Sequence, residues 1–230
     1  MARIVDLNKK WGDKSVFDGI SLEVADGSVT AIMGRSGVGK STLLNCIADL
    51  TDYEGLIQGF GRTAYVFQEP RLIEFMSARQ NVEYVLRGKF ADKDAVNRLI
   101  DGVFALMKIS GLADRAVGTL SGGERQRVNL ARAFAYPSDS VLLDEPFNSL
   151  DTKLKLDLLV DLKTMITTYK KTCLMVTHSV DEALFMADSV VYVKDRSTAI
   201  TVSGVSGDKN FGYESDGEPR KMLCKLLYEE

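Results

Sequence analysis

The chain has 230 residues, of which 45% are apolar and 27% charged, and a formal net charge of −3. This balance is ordinary for a folded domain with a real core, excludes wholesale disorder, and gives no electrostatic basis for binding nucleic acid. No apolar run approaches the roughly 18 residues of a membrane span, and "MARIVDLNKKWGDK" carries no signal-peptide segment, so any membrane role is expected to come through a partner.

Short β-rich runs separated by turns fill the first third: "RIVDL" (3–7), "ISLEV" (20–24), "VTAIM" (29–33) and "TAYVF" (63–67). Residues 77–109 have helical periodicity broken near Gly88, and Ser121 to Ala135 has it again. Apolar residues at 154, 158, 162, 165, 166 and 169 trace one face of a further helix. Between these helices, "VLL" (141–143) and "TCLMVT" (172–177) are almost wholly apolar, as strands covered on both faces are. After Asp195 the chain turns polar and glycine-rich before the amphipathic stretch "PRKMLCKLLYEE". The three cysteines, Cys46, Cys173 and Cys224, lie far apart in apolar surroundings, fitting neither a disulfide framework nor a zinc site and suggesting a reducing compartment.

The chemistry stands at strand ends. "GRSGVGKST" follows the strand at 29–33, Gln68 follows 63–67, Asp144 and Glu145 follow 141–143, and His178 follows 173–177. Ligands of open α/β sheets bind at the carboxyl ends of the strands, so these groups are expected along one edge. In "GRSGVGKST" (Gly34, Arg35, Ser36, Gly37, Val38, Gly39, Lys40, Ser41 and Thr42) the glycines let successive N–H groups turn inward as an anion nest at a helix start. Lys40 then reaches the β- and γ-phosphates, and the Ser41 hydroxyl is placed for Mg²⁺. Asp144 is expected to hold Mg²⁺ through water, and Glu145 to orient or deprotonate the water attacking the γ-phosphate. In "LSGGERQRVNLARA" (120–133), Ser121 and Glu124 form a capping-box pattern. Gly122 and Gly123 nonetheless cost helix stability, about 1 kcal/mol each against alanine, which suits close approach of a ligand. The Lys40 loop already serves the chain's own nucleotide, so a second phosphate site suggests the nucleotide of another subunit.

In order, "GRSGVGKST", Gln68 in "VFQEPRL", "LSGGE", "VLLDEP", "NSLD" (148–151) and "THS" (177–179) resemble the motifs of ATP-binding cassette (ABC) nucleotide-binding subunits, from about Ile4 to Asp195. The resemblance implies a P-loop NTPase core of α/β class with a mainly parallel sheet, an N-terminal antiparallel β-subdomain and a small α-helical subdomain. It implies boundaries of 1–76 and 136–195 for the catalytic core, 77–135 for the helical part and 196–230 for a C-terminal tail. Gln68 would touch Mg²⁺ and the attacking water; Ser121, Gly122 and Gly123 would clamp the γ-phosphate of a partner; Asp151 would join the two sites across a dimer. His178, the only histidine in the chain, would contact the γ-phosphate and help hold the water and Glu145. Trp11, the only tryptophan, falls where an aromatic stacks on adenine; ordinary core packing is the competing expectation.

Glu124 stands where glutamine is usual, which touches the ribose-side contact and equally fits the capping box. "VFQEPRL" followed by "QNVEYVL" resembles the nitrate, sulfonate and taurine importer branch. The implied function is an ATP hydrolase that binds ATP and Mg²⁺ as a homodimer, or paired with a related subunit. It would drive the permease subunits of an importer fed by a solute-binding protein, at the inner face of the membrane. Two other classes remain open: a non-transport ABC ATPase acting as a soluble assembly scaffold, and a P-loop small-molecule kinase, which has no use for "LSGG". Chromosome-maintenance relatives are excluded because only residues 43–119 separate the P-loop from that motif.

Overall fold

A computed structural model describes residues 1–148, 150–205 and 218–228. The chain begins with an antiparallel hairpin, β1 (Ala2–Trp11) and β2 (Lys14–Val24), followed by β3 (Val29–Gly34) and helix α1 (Lys40–Ile47). Then come β4 (Glu54–Gln58), β5 (Thr63–Val66), and the helices α2 (Ala78–Leu86), α3 (Lys93–Leu106) and α4 (Gly122–Ala135). The remainder alternates β6 (Ser140–Asp144), α5 (Thr152–Tyr169), β7 (Thr172–Val176), α6 (Val180–Met186) and β8 (Ser189–Val193), and ends in β9 (Ala199–Ser203) and α7 (Glu218–Tyr228).

Two sheets result. One is three-stranded in the order β2-β1-β4; the other is six-stranded in the order β5-β6-β7-β3-β8-β9, parallel except for the antiparallel β9 edge. Every residue of β3, β6 and β7 is buried, so both faces of the central strands are covered and the apolar runs need no alternation. On one face, Met33, Val66, Leu143 and Met175 pack against Val82, Phe104, Phe134 and Leu162 of the helices. On the other, Ile32, Leu142 and Leu174 meet α1 and the inner side of the small sheet through Ile4, Phe17 and Leu44.

Local chemistry explains the helix boundaries. Ser77 and Gln80 form a reciprocal capping box that starts α2, and Asp92 caps α3 from its side chain, so the break around Gly88 separates two independently capped helices. In α5 the buried face runs through Leu158, Leu162, Met165 and Ile166, but Leu154, expected on that face, is 44% exposed in the first turn. Three strands, β4, β8 and β9, were not read from the sequence. β4 is almost wholly exposed, β8 is the buried apolar run "SVVYV" that the sequence reading passed over, and β9 lies in the stretch expected to be a polar, glycine-rich tail. The helix α7 realises the amphipathic end stretch: Leu223 is buried and Arg220 pairs with Asp181 of α6. Most of the glycine-rich segment, 206–217, lies outside the described residues. No helix among the described residues is long and apolar enough to cross a membrane.

Candidate functional site

The parallel sheet brings β3, β6 and β7 side by side, so the residues that follow them meet at one edge. There a cleft of about 690 Å³ is lined by residues 36–42, Glu145, His178, Trp11 with Lys14, Ser15 and Val16 of the hairpin, and Asp195 with Arg196 of the β8–β9 turn.

The loop between β3 and α1 is shaped by backbone constraints. Gly34 (φ 152°) passes so close to β8 that an added Cβ would stand 2.5 Å from the Val193 carbonyl oxygen. Gly39 (φ 111°) would place a Cβ 2.6 Å from Val16 and 2.9 Å from Phe17, so no other residue fits against the hairpin without displacing it. Lys40 is buried, and its Nζ donates to the carbonyl oxygens of Gly34 and Arg35, both at 3.0 Å. Burial lowers its pKa, opposed by the nearby charges of Glu145 and Asp144.

The carboxylates at the end of β6 are held differently. Asp144 accepts from Ser41 Oγ at 3.0 Å and from the Tyr65 hydroxyl at 3.2 Å. Burial raises its pKa against the pull of these two donors, and burial followed by the Asp144 charge raises that of Tyr65, which stays a donor. Glu145 has a left-handed backbone (φ 47°), rare for a residue with a side chain and held here by its N–H donating to Val176 O at 3.1 Å. This twist presents the carboxylate to the cleft: one oxygen lies 2.7 Å from His178 Nε2 and the other accepts from the Asn148 amide. The turn is anchored from behind by Gln126 of α4, whose buried Nε2 donates to Pro146 O at 2.7 Å. His178 is itself half-exposed, whereas Thr177 before it is buried and bonded to Glu182 of α6.

Trp11 is 51% exposed at the cleft wall, which excludes the core-packing expectation. The Lys9 ammonium lies 4.1 Å from the centroid of its ring and is paired with Asp52 at 2.9 Å. The other expected residues lie off the cleft. Gln68 is exposed just past β5. Ser121 and Glu124 form the complete capping box of α4, with Ser121 N–H donating to Glu124 Oε2 at 2.8 Å and Glu124 N–H to Ser121 Oγ at 3.3 Å. Gly122 and Gly123 form the first turn of this helix, and Asp151 caps α5 through Leu154 N–H at 3.1 Å. Gly123 faces Leu150 and Leu154, so these two helix starts are neighbours. The site residues that sequence reasoning missed are Tyr65 and Asn148. Asn148 lay inside the quoted "NSLD", whereas Tyr65 gave no signal.

The loop, with its positive-φ glycines at 34, 37 and 39, and Lys40 suit the phosphates of a nucleotide. Ser41 and Asp144 together offer hard oxygen atoms of the kind Mg²⁺ takes alongside phosphate and water. Among the described residues there is no cluster of three or more His, Cys, Asp or Glu side chains that could hold a metal ion.

Comparison with known proteins gives concordant matches. The sequence model described as "ABC transporter" matches residues 17–148. The chain is 42% identical over 230 residues to the aliphatic sulfonates import ATP-binding protein SsuB of Mycobacterium sp. (strain MCS), covering 96% of this chain and 91% of that protein. It is 41% identical over 197 residues to SsuB 1 of Mesorhizobium japonicum, covering 81% and 73%. To the sn-glycerol-3-phosphate import ATP-binding protein UgpC 3 of Rhizobium johnstonii it is 36% identical over 200 residues, 82% of this chain but 58% of that longer protein. Among solved structures, the dimeric post-hydrolysis state of the ATP-binding cassette MJ0796 bound to ADP and Pi superposes with a TM-score of 0.78 at 27% identity, covering 90% of this chain and all 100% of that one.

Proposed function

Because this chain belongs to the ABC transporter family of ATP-binding subunits, we propose that it powers an importer as a head-to-tail pair, hydrolysing Mg-ATP between two copies. The observation that carries this reading is the 2.7 Å contact of His178 with Glu145 at the cleft beside the phosphate loop. A carboxylate fixed by an imidazole on one oxygen and an amide on the other is oriented to accept a proton from water. His178, half-exposed to the cleft, is free to turn toward a γ-phosphate and keep the water and carboxylate aligned.

In the same reading, Lys40 leaves the loop carbonyls for the β- and γ-phosphates and Trp11 stacks on the adenine. Gly34 to Thr42 supply the anion nest, including the side of Arg35, Ser36 and Val38. Ser41 and Asp144 hold the metal with Gln68, and a Mg²⁺ bound there would neutralise charge developing on the transferred phosphoryl group. Ser121, Gly122, Gly123 and Glu124, with Asp151, lie off the chain's own cleft and are assigned to the partner's nucleotide, which is why two copies are needed. We take residues 77–135 as the helical subdomain. Within it the loop after α3 ties back to α2, with Ala78 N–H donating to Arg115 O at 3.0 Å and Arg79 N–H to Ala113 O at 2.9 Å.

Partnership with permease subunits at the inner face of the membrane is assigned to segment 69–80, where Phe75 is 83% exposed beside the segment bearing Gln68. A solute-binding protein would deliver the cargo. Relatives named for sulfonates and for glycerol phosphate each match most of this chain, 81% and 82% of it, so cargo choice belongs to those other subunits in this reading. The assignment is tested by phosphate release from ATP with Mg²⁺ by the purified chain and by Lys40→Ala. Release that persists in the variant rejects the site.

A further inference from the structure

Both oxygens of the Asp144 carboxylate are engaged, by donors from different elements. Oδ1 accepts from Ser41 at the start of α1, and Oδ2 accepts from the Tyr65 hydroxyl at 3.2 Å. The second contact follows from strand register. β5 and β6 run parallel with Tyr65 opposite Leu142, and Leu142 and Asp144 point to the same side of the sheet. A diagonal neighbour two residues on is beyond most side chains, but within reach of a phenol.

The tyrosine ring is itself fixed. It stacks on Phe67 with centroids 4.1 Å apart and planes inclined by 14°. The far end of the stack is the Arg71 guanidinium, 3.7 Å from the Phe67 ring centroid, and the Arg71 carbonyl accepts from Arg132 of α4 at 2.7 Å. Gln68 lies in sequence between Phe67 and Arg71, so it is flanked by the two outer members of the stack that ends on Tyr65.

We propose that Tyr65 is a positioning residue for the Mg-nucleotide site: its hydroxyl fixes Asp144 Oδ2, and the Tyr65–Phe67–Arg71 stack ties that hold to the segment carrying Gln68. The proposal rests on the reading that Asp144 serves the metal. A carboxylate oxygen has two lone pairs, so accepting from Tyr65 leaves one for a water of the metal shell while fixing the plane of the group. A ligand oriented in advance loses less freedom when the metal arrives. The stack gives a physical route by which displacement of the Gln68 segment would loosen Asp144.

Tyr65→Phe removes the hydroxyl and keeps the stack. The readout is the Mg²⁺-dependent gain in affinity for a non-hydrolysable ATP analogue, measured by calorimetry on the full chain with Mg²⁺ and with EDTA. Losing one hydrogen bond to a charged acceptor is expected to cut that gain about tenfold. Affinity in EDTA and the melting temperature should stay near wild type, and Phe67→Leu should give a smaller loss of the same kind. Asp144→Asn, measured alongside, separates the two levels of the argument. If it abolishes the gain while Tyr65→Phe stays within about twofold of wild type, the role given to Tyr65 is wrong and that of Asp144 stands. If Asp144→Asn keeps the gain, the reading of Asp144 falls and the proposal with it. Equal weakening by Tyr65→Phe with and without Mg²⁺ would mean a merely structural tyrosine.

Discussion

Glu145 and His178 show how far single residues can be read. A carboxylate pair at the end of an apolar run and a lone imidazole at the end of another were visible in the sequence, because strand ends in a parallel sheet converge. The left-handed backbone of Glu145 was not, because it depends on a bond to the neighbouring strand, from Glu145 N–H to Val176 O. Nor was the contact of Tyr65 with Asp144, which depends on register between strands distant in sequence. His178→Ala should lower ATP turnover on the order of 100-fold, the usual loss for one transition-state contact. Its melting temperature should not move, because the side chain is half-exposed and Asn148 still holds Glu145. Steady-state kinetics with a thermal melt check both. Trp11→Ala should weaken ATP binding by about 1–2 kcal/mol, as loss of an aromatic platform does. In wild type the single tryptophan should report ATP by a change in fluorescence; a flat titration with binding shown by calorimetry would remove Trp11 from the base site.

At the scale of elements, α4 joins two demands. Its N-terminus is a complete capping box, so Ser121→Ala should cost roughly 1 kcal/mol of stability in the isolated chain. The hydroxyl oxygen accepts from Glu124 N–H, leaving its proton for a phosphate, so the sequence could fit both readings of "LSGGE" at once. Just past its C-terminus sits Lys171, buried, donating to the carbonyls of Phe134 at 3.1 Å and Tyr136 at 2.6 Å and to Ser138 Oγ at 3.0 Å. Burial brings its pKa down from 10.5 to about 8. The unfolded chain therefore holds this proton to higher pH than the folded one, and the group's contribution to stability rises between about pH 8 and 10.5. Urea melts across that range should show wild type gaining on Lys171→Met, by at most about 1.4 kcal/mol per pH unit. A constant difference would contradict the assignment. The longer helices were legible because their caps and periodicity are local, whereas the two-turn α6 was not. β4 and β9 were not, because short edge strands take their identity from the neighbour they pair with, and β8, a short apolar run at 189–193, was passed over because a run of that length does not by itself distinguish strand from buried helix.

For the whole molecule, motif order gave the family and fold, and the geometry added which groups share a cleft and which face away from it. Phe75 is 83% exposed, whereas Leu72 in the same segment is buried, so the patch is narrower than its apolar composition suggests. Phe75→Asp should leave basal ATPase within about twofold, as surface changes generally do, while abolishing co-purification with the permease subunits. Loss of nucleotide binding in that variant would make Phe75 part of the fold instead. The central claim is that two copies close on ATP and that Glu145 starts its cleavage. It is tested most directly by the mass of Glu145→Gln in solution with Mg-ATP, by light scattering after size exclusion. A stable species at twice the 25.4 kDa of one chain, returning to a single chain when ATP is withheld, is the predicted result. A variant that binds ATP yet stays at 25.4 kDa, or that hydrolyses it at the wild-type rate, would contradict the account.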